Sequence, residues 1–204
     1  MARPSTPKLS SELIAAAALK LVDKNGEFTI PQLAKALSVS ASSLYNHVGG
    51  KDEIIELMRG QAMSRVQLPE APGGHWRETL RLIAVSYFES YSRHPRLIPL
   101  FTSHTVRDRT TLRVYDALAQ TLAGAGFDPA ARLTAITIID SFVLGSALDA
   151  AAPDEVWAAD VDSSASFTEA LEEGLGSAER AEQTFGQGLD IILAGLEARV
   201  SARG

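Results

Sequence analysis

Residues 29–51, TIPQLAKALSVSASSLYNHVGGK, leave the chain few ways to fold around them. The Thr29 hydroxyl can cap a short helix, and Pro31 falls in its first turn, where a missing N–H costs little. Ile30, Leu33, Ala34 and Leu37 then recur at helical spacing on one face. Ser38-Val39-Ser40 breaks the pattern: either serine can cap a second helix, and Val39 offers an apolar anchor under the turn. The spacing predicts that second helix over residues 41–48, with Leu44 and Val48 turned inward one turn apart. Ala41, Ser42, Ser43 and Asn46 are left facing outward. Gly49-Gly50 closes the helix, because glycine takes a left-handed conformation without steric cost, and Lys51 opens the next one.

Two short helices joined by so tight a turn, the second showing small and amide side chains to solvent, form a helix-turn-helix suited to a DNA major groove. The turn Leu37-x-Val39-Ser40, followed by Leu44-Tyr45-x-His47 and by Lys51 four residues on, resembles the DNA-binding domain of the TetR family of one-component transcriptional regulators. The resemblance implies that Thr29, Tyr45, His47 and Lys51 grip phosphates while Ala41, Ser42, Ser43 and Asn46 face bases, with Ser40 in the same DNA-binding set. Side-chain chemistry agrees with this division. Hydroxyl, imidazole and ammonium groups donate to phosphate oxygens and fix register, whereas base edges carry the sequence. Taken singly, Tyr45 also suits a half-buried packing position and His47 an ordinary surface site. The set at this spacing, behind this turn, is what points to DNA.

Charge is distributed to the same end. The 204-residue chain has a net charge of −6, which confers no general affinity for nucleic acid. Residues 1–51, however, hold six cations (Arg3, Lys8, Lys20, Lys24, Lys35, Lys51) against Glu12, Asp23 and Glu27, a balance of +3 that leaves −9 for the remainder. A basic head on an acidic body keeps phosphate attraction where the reading helix is. The chain has no cysteine, which excludes disulfides, thiolate metal sites and cysteine nucleophiles and is compatible with a cytoplasmic location.

Upstream, Leu13, Ile14, Ala17, Ala18 and Leu21 form the stripe of an amphipathic helix capped by Ser10 or Ser11 and ended by Asn25-Gly26, a third support for the reading helix. Glu12, Lys20 and Asp23 interrupt its alanine-rich run and argue against a signal peptide. Residues 2–7 read as a mobile arm from which Arg3 and Lys8 could reach a neighbouring groove. After Lys51 a helix carries Ile54, Ile55 and Met58, with Asp52 and Glu53 at its positive end. The sequence LPEAPGG at 68–74 breaks the pattern, so the predicted domains are 1–67, DNA-binding with a connecting helix, and 68–204, ligand-binding and dimerising.

In the second domain Trp76, Leu80, Ile83, Tyr87 and Tyr91 share one helical stripe, and further helices are predicted at 96–101, 108–123 and 129–151. The last of these is the most apolar stretch, interrupted by Asp140 and Asp149, so no membrane span is expected. Residues 152–176 read as a long loop in which Trp157 either caps a cavity or pins the loop to the surface. No strand alternation occurs, so the predicted fold class is all-α: a three-helix head plus a helical regulatory and dimerisation body.

The closing run FGQGLDIILAGLE, residues 185–197, resembles the last helix of the tetracycline-repressor branch of the same family. That resemblance implies a four-helix dimer interface, here through Leu189, Ile192, Leu193 and Leu196; packing within the chain is the alternative. Phe88, Tyr91, Phe101, His104, Phe142, Asp149 and Trp157 are the candidate contacts for an apolar effector. Magnesium–tetracycline is not the expected ligand. Ungapped counting puts that branch's metal-binding histidine at Thr102 and its acidic residue at Asp149, while His104 comes two residues late, ~200° round a helix. No metal or cofactor is therefore assigned.

No Gly-rich phosphate loop, His-Glu-x-x-His or Gly-x-Ser-x-Gly occurs, and the four histidines are scattered, so no catalytic residue is nominated. The sequence predicts a cytoplasmic homodimer that binds double-stranded operator DNA and no membrane, released from a palindromic site by a small apolar molecule. A helical partner-binding or structural protein that has lost DNA is the alternative, with an enzyme behind it.

Overall fold

The computed structural model describes residues 9–69, 75–174 and 177–201. The arm at 2–7, Lys8, and residues 70–74 of the interdomain break lie outside the described residues. Among the described residues every regular element is helical, and the chain forms two compact units: residues 1–66 with 96–116, and residues 67–95 with 117–204. The return over 96–116 packs with the first unit a stretch that the predicted division at 67/68 assigns to the second.

In the first unit, α1 (Ser11–Asn25) starts where Ser10 accepts the Leu13 N–H and stops at Gly26, whose φ of 80° is left-handed. Its buried stripe is Ile14, Ala15, Ala18, Leu19 and Val22. This is one residue round from the predicted stripe, and Leu13 is partly exposed. An alanine-rich helix offers both phases at the same spacing; packing on α2 (Ile30–Leu37) and α4 (Lys51–Met63) selects one. Phe28, Leu33, Leu44, Ile54 and Met58, each fully buried, complete this core at about 1.5–3 kcal/mol of burial apiece. Between α2 and α4 sits α3, Ala41–Tyr45.

In the second unit, α5 (Trp76–Ser92) buries Leu80, Ile83, Tyr87 and Tyr91 as predicted. The chain then turns through Pro95–Leu97 into α6 (Ile98–Phe101), which packs on α4 in the first unit. There α4 holds a buried arginine. Arg59 donates to the Phe101 carbonyl at 2.7 Å, lies 4.6 Å from the Phe101 ring centroid and pairs with Glu56 at 3.0 Å. Glu56 in turn accepts the N–H groups of Arg107 and Asp108, and Asp108 caps α7 (Arg109–Gly124) by accepting from Thr111 at 2.8 Å. The ion pair and the carbonyl offset part of the cost of burying the cation, while Nε and Nη1 of Arg59 have no hydrogen-bond partner among the described residues. Gly60 makes room for the arrangement, since a Cβ there would lie 2.5 Å from the Asp108 carboxylate.

The second unit continues with α8 (Pro129–Asp149), capped by Asp128 and packed on α5. Its mid-helix Asp140 is tolerated in apolar surroundings because Tyr87 donates to it at 2.6 Å. The region predicted as loop contains α9 (Ala165–Glu172), capped by Ser164. Its eight residues carry only Phe167, Ala170 and Leu171 at helical spacing, too short a stripe to stand out in a stretch rich in Pro, Asp and Ser, and none of its residues is buried. Finally α10 (Ser177–Ser201) packs on α8, with Gly188 admitting the Phe142 ring where a Cβ would lie 2.5 Å from it.

The four predicted interface residues differ in exposure. Leu189 and Leu193 are 0% exposed and Leu196 5%, all within a single chain, and Ile192 is only partly exposed. Burial of those three leucines accords with the alternative of packing within the chain, and Ile192 keeps some surface. The outward apolar residues are Ile191 on α10, 73% exposed, and Leu133, Ile138 and Leu148 on α8. By length and composition α8 could cross a membrane, and only 22% of its most apolar window is buried, so its outer face calls for a cover.

Candidate nucleic-acid interface and effector residues

Thr29 opens α2 with a reciprocal cap: its hydroxyl accepts the Gln32 N–H, and its own N–H donates to the Gln32 side chain at 2.9 Å. The two serines of the turn then divide the work. Ser38 ends α2 in the left-handed region, φ 56° and ψ 39°, the one non-glycine residue with positive φ among the described residues. Ser40 caps α3, accepting the Ser43 N–H at 3.1 Å and lying 2.8 Å from both the Ser42 and Ser43 hydroxyls. Its hydroxyl is therefore engaged inside the turn, where it orients two of the predicted DNA-facing serines.

Regular helix ends at Tyr45 rather than continuing to Val48. The His47 N–H closes on Leu44 by a tighter i→i−3 bond as the chain runs toward Gly49-Gly50. Leu44 and Val48 nevertheless anchor this segment, at 0% and 3% exposed. Ala41, Ser42, Tyr45, Asn46 and His47 are exposed, Tyr45 by 56%, and Ser43 is half-buried. A tyrosine more than half in water at the end of a recognition-type helix is not serving the core. Thr29 and Lys51 are exposed on either side, and the Lys51 ammonium stands 5.4 Å from the centroid of buried Phe28.

The seven effector candidates are divided between the units. Phe101 and His104 belong to the first, and both are already engaged: Phe101 beneath Arg59, and His104 with Nε2 at 3.4 Å from an Asp52 oxygen. Their neighbourhood opens into a cleft of about 760 Å³ lined in part by Asp52, Glu56, His104 and Asp108.

The other five lie in the second unit. Phe88 stacks on Phe185 at 4.1 Å, and Phe185 lies parallel to Phe142 at 5.5 Å, so three rings fill one another's faces. Tyr91 is 1% exposed and packs against Tyr87, leaving no free surface for a ligand in this conformation. Phe142 and Asp149, predicted to share a side of α8, line one cleft of about 290 Å³. Asp149 pairs at 2.7 Å with Arg180, whose guanidinium lies 5.4 Å from the centroid of the Trp157 ring. Trp157, half-exposed, thus rests over a cation.

Arg59, Arg180 and Phe185 escaped the sequence reading as site residues. The two arginines look like ordinary solvated charges in helical sequence; besides Glu56, three residues before Arg59, their partners lie 31 to 45 residues away.

The family described as Tetracyclin repressor-like, C-terminal domain, matches residues 68–200. An HTH-type transcriptional regulator of Saccharopolyspora erythraea is 29% identical over 142 residues, 69% of this chain and 60% of that protein, so the match spans less than two thirds of the relative's length. The HTH-type transcriptional repressor DrrR1 of Streptomyces coeruleorubidus is 29% identical over 228 aligned positions, 98% of this chain and 83% of that one. Apo ActR from Streptomyces coelicolor shares the fold, with a TM-score of 0.81 at 23% identity over 96% of this chain and 98% of that one.

Proposed function

The chain belongs to the tetracycline-repressor-like family of transcriptional regulators, and from that premise we propose that it is a repressor holding a pseudo-palindromic operator as a homodimer until a small, largely apolar effector releases it. It is a regulator and not an enzyme. The observation that carries the reading is the solvent-facing set Ala41, Ser42, Tyr45, Asn46 and His47, raised on a segment whose opposite side, Leu44 and Val48, is locked into a core. In this reading Thr29, Tyr45, His47 and Lys51 hold phosphates, Ser42, Ser43 and Asn46 meet base edges, and Ser40 sets their geometry from within the turn.

Homodimerisation accounts for the bare outer face of α8 and α10. Leu133, Ile138, Leu148 and Ile191 are too apolar for permanent exposure, and a second copy covers them while supplying the two-fold axis that a palindrome needs. Soluble, without a membrane partner, the protein acts in the cytoplasm, where its operator is. Selection from random duplex DNA tests the proposal. It should enrich inverted repeats whose half-sites stand ~34–36 Å apart, or a multiple of that turn. Enrichment of no sequence, or of an unpaired single site, would refute it.

A further inference from the structure

We propose that Arg180 and Trp157 form an effector subsite that takes a planar aromatic molecule carrying a neutral carbonyl acceptor, such as an aryl ketone. This rests on the ligand-responsive reading and goes beyond it by naming the chemistry the ligand must carry.

The first observation is an unspent donor. The Arg180 side chain is 16% exposed; its Nη1 is bound to Asp149 at 2.7 Å, but Nη2 is closed from solvent and has no hydrogen-bond partner among the described residues. Guanidinium stays charged and carries its donors in a fixed fork, so an idle nitrogen cannot turn elsewhere to be satisfied. Such an orphan is costly and calls for an explanation.

The second observation is its surroundings. Trp157 lies against the guanidinium with its ring centroid 5.4 Å away, yet the indole is 52% exposed and sits between α8 and α9. Asp149 also lines the 290 Å³ cleft, together with the Phe142 ring and the hydroxyl-bearing Ser146 and Thr184. Asp149, bound to Arg180, is the link between cleft and guanidinium; Arg180 and Trp157 do not line the cleft as it stands, so a flat molecule seated beside Phe142 reaches Nη2 when the indole swings off the guanidinium and onto the ligand's face.

Charge decides which acceptor. Asp149 already neutralises Arg180, so a carboxylate ligand would leave a net negative charge in a partly buried site, and Asp149 would repel it. A carbonyl oxygen accepts the Nη2 donor with no such penalty, and the serine and threonine hydroxyls accommodate further oxygen substituents on the same ring system.

The test follows Trp157 fluorescence in a Trp76→Phe background, where it is the sole tryptophan, with Trp157→Phe as control. The probes are 2-acetylnaphthalene, 2-ethylnaphthalene of nearly the same shape, and 2-naphthoate. The ketone should bind at least tenfold more tightly than the hydrocarbon and than the acid. Arg180→Lys, which keeps a cation for Asp149 but loses the fork, should abolish the preference while leaving the helical circular dichroism unchanged. Equal affinities, a preference for the acid, a preference that survives Arg180→Lys, or no ketone binding up to its solubility limit would each overturn the subsite. Operator binding without any probe is scored separately, so the regulator reading fails only if that binding is absent.

Discussion

Lys51 is where a single charge can be separated from the fold. It is exposed at the start of α4 and makes no ion pair among the described residues, so Lys51→Ala should weaken operator binding on every sequence alike. Losing one phosphate contact should also flatten the plot of log affinity against log salt by roughly 0.9, measured by fluorescence anisotropy across a salt series. An unchanged slope would remove Lys51 from the phosphate set. Substitutions at Ser42 or Asn46 should instead change which operators are preferred. Gly60 presents the opposite case, a residue that matters by what it lacks. Gly60→Ala puts a methyl group into the Asp108 carboxylate and should lower stability by about 1–3 kcal/mol in urea unfolding. A neutral result would mean that Asp108 can leave the α7 cap freely. Residues such as Tyr45 and Lys51 were legible in sequence because the motif fixes their spacing. Arg59, buried, and Arg180, partly buried, were not, because the sequence around a partnered arginine looks like that around a solvated one.

At the scale of elements, the turn between α2 and α3 was readable to within one choice: two serines could cap, and the backbone uses Ser40 for that and Ser38 for the left-handed exit from α2. Helix α9 was too short to stand out, with Phe167, Ala170 and Leu171 its only apolar run, and α10 was readable as a helix with two possible partners for its apolar residues. Its sequence places apolar residues on both sides, so a 3–4 repeat identifies Leu189 and Leu193 without saying whether they face their own chain or another. Paired substitutions separate the two faces. Ile191→Asp should leave the chain folded, shift it to monomer in sedimentation and weaken operator binding. Leu189→Asp, by placing a charge at a fully buried position, should cost about 3–5 kcal/mol of stability before any interface is reached. A folded dimer carrying Ile191→Asp would mean that this face of α10 is not the one a second copy covers.

For the whole molecule, the all-helical architecture and the basic head on an acidic body follow from periodicity and charge, whereas the return of residues 96–116 to the first unit does not, since no local pattern records where a helix packs. Effector choice belongs to this scale too. Thr102 offers no imidazole, and Asp149 is already paired with Arg180, so magnesium with tetracycline should not displace the protein from its operator. Micromolar release abolished by a chelator would contradict that prediction. The account as a whole depends on sequence-specific DNA binding, and its most direct test is the ratio of affinities for the selected operator and for a scrambled duplex of equal length, at one physiological salt concentration. A two-fold regulator reading bases through α3 should favour the operator by at least ~10³; a ratio near one would show that the exposed face of α3 reads nothing.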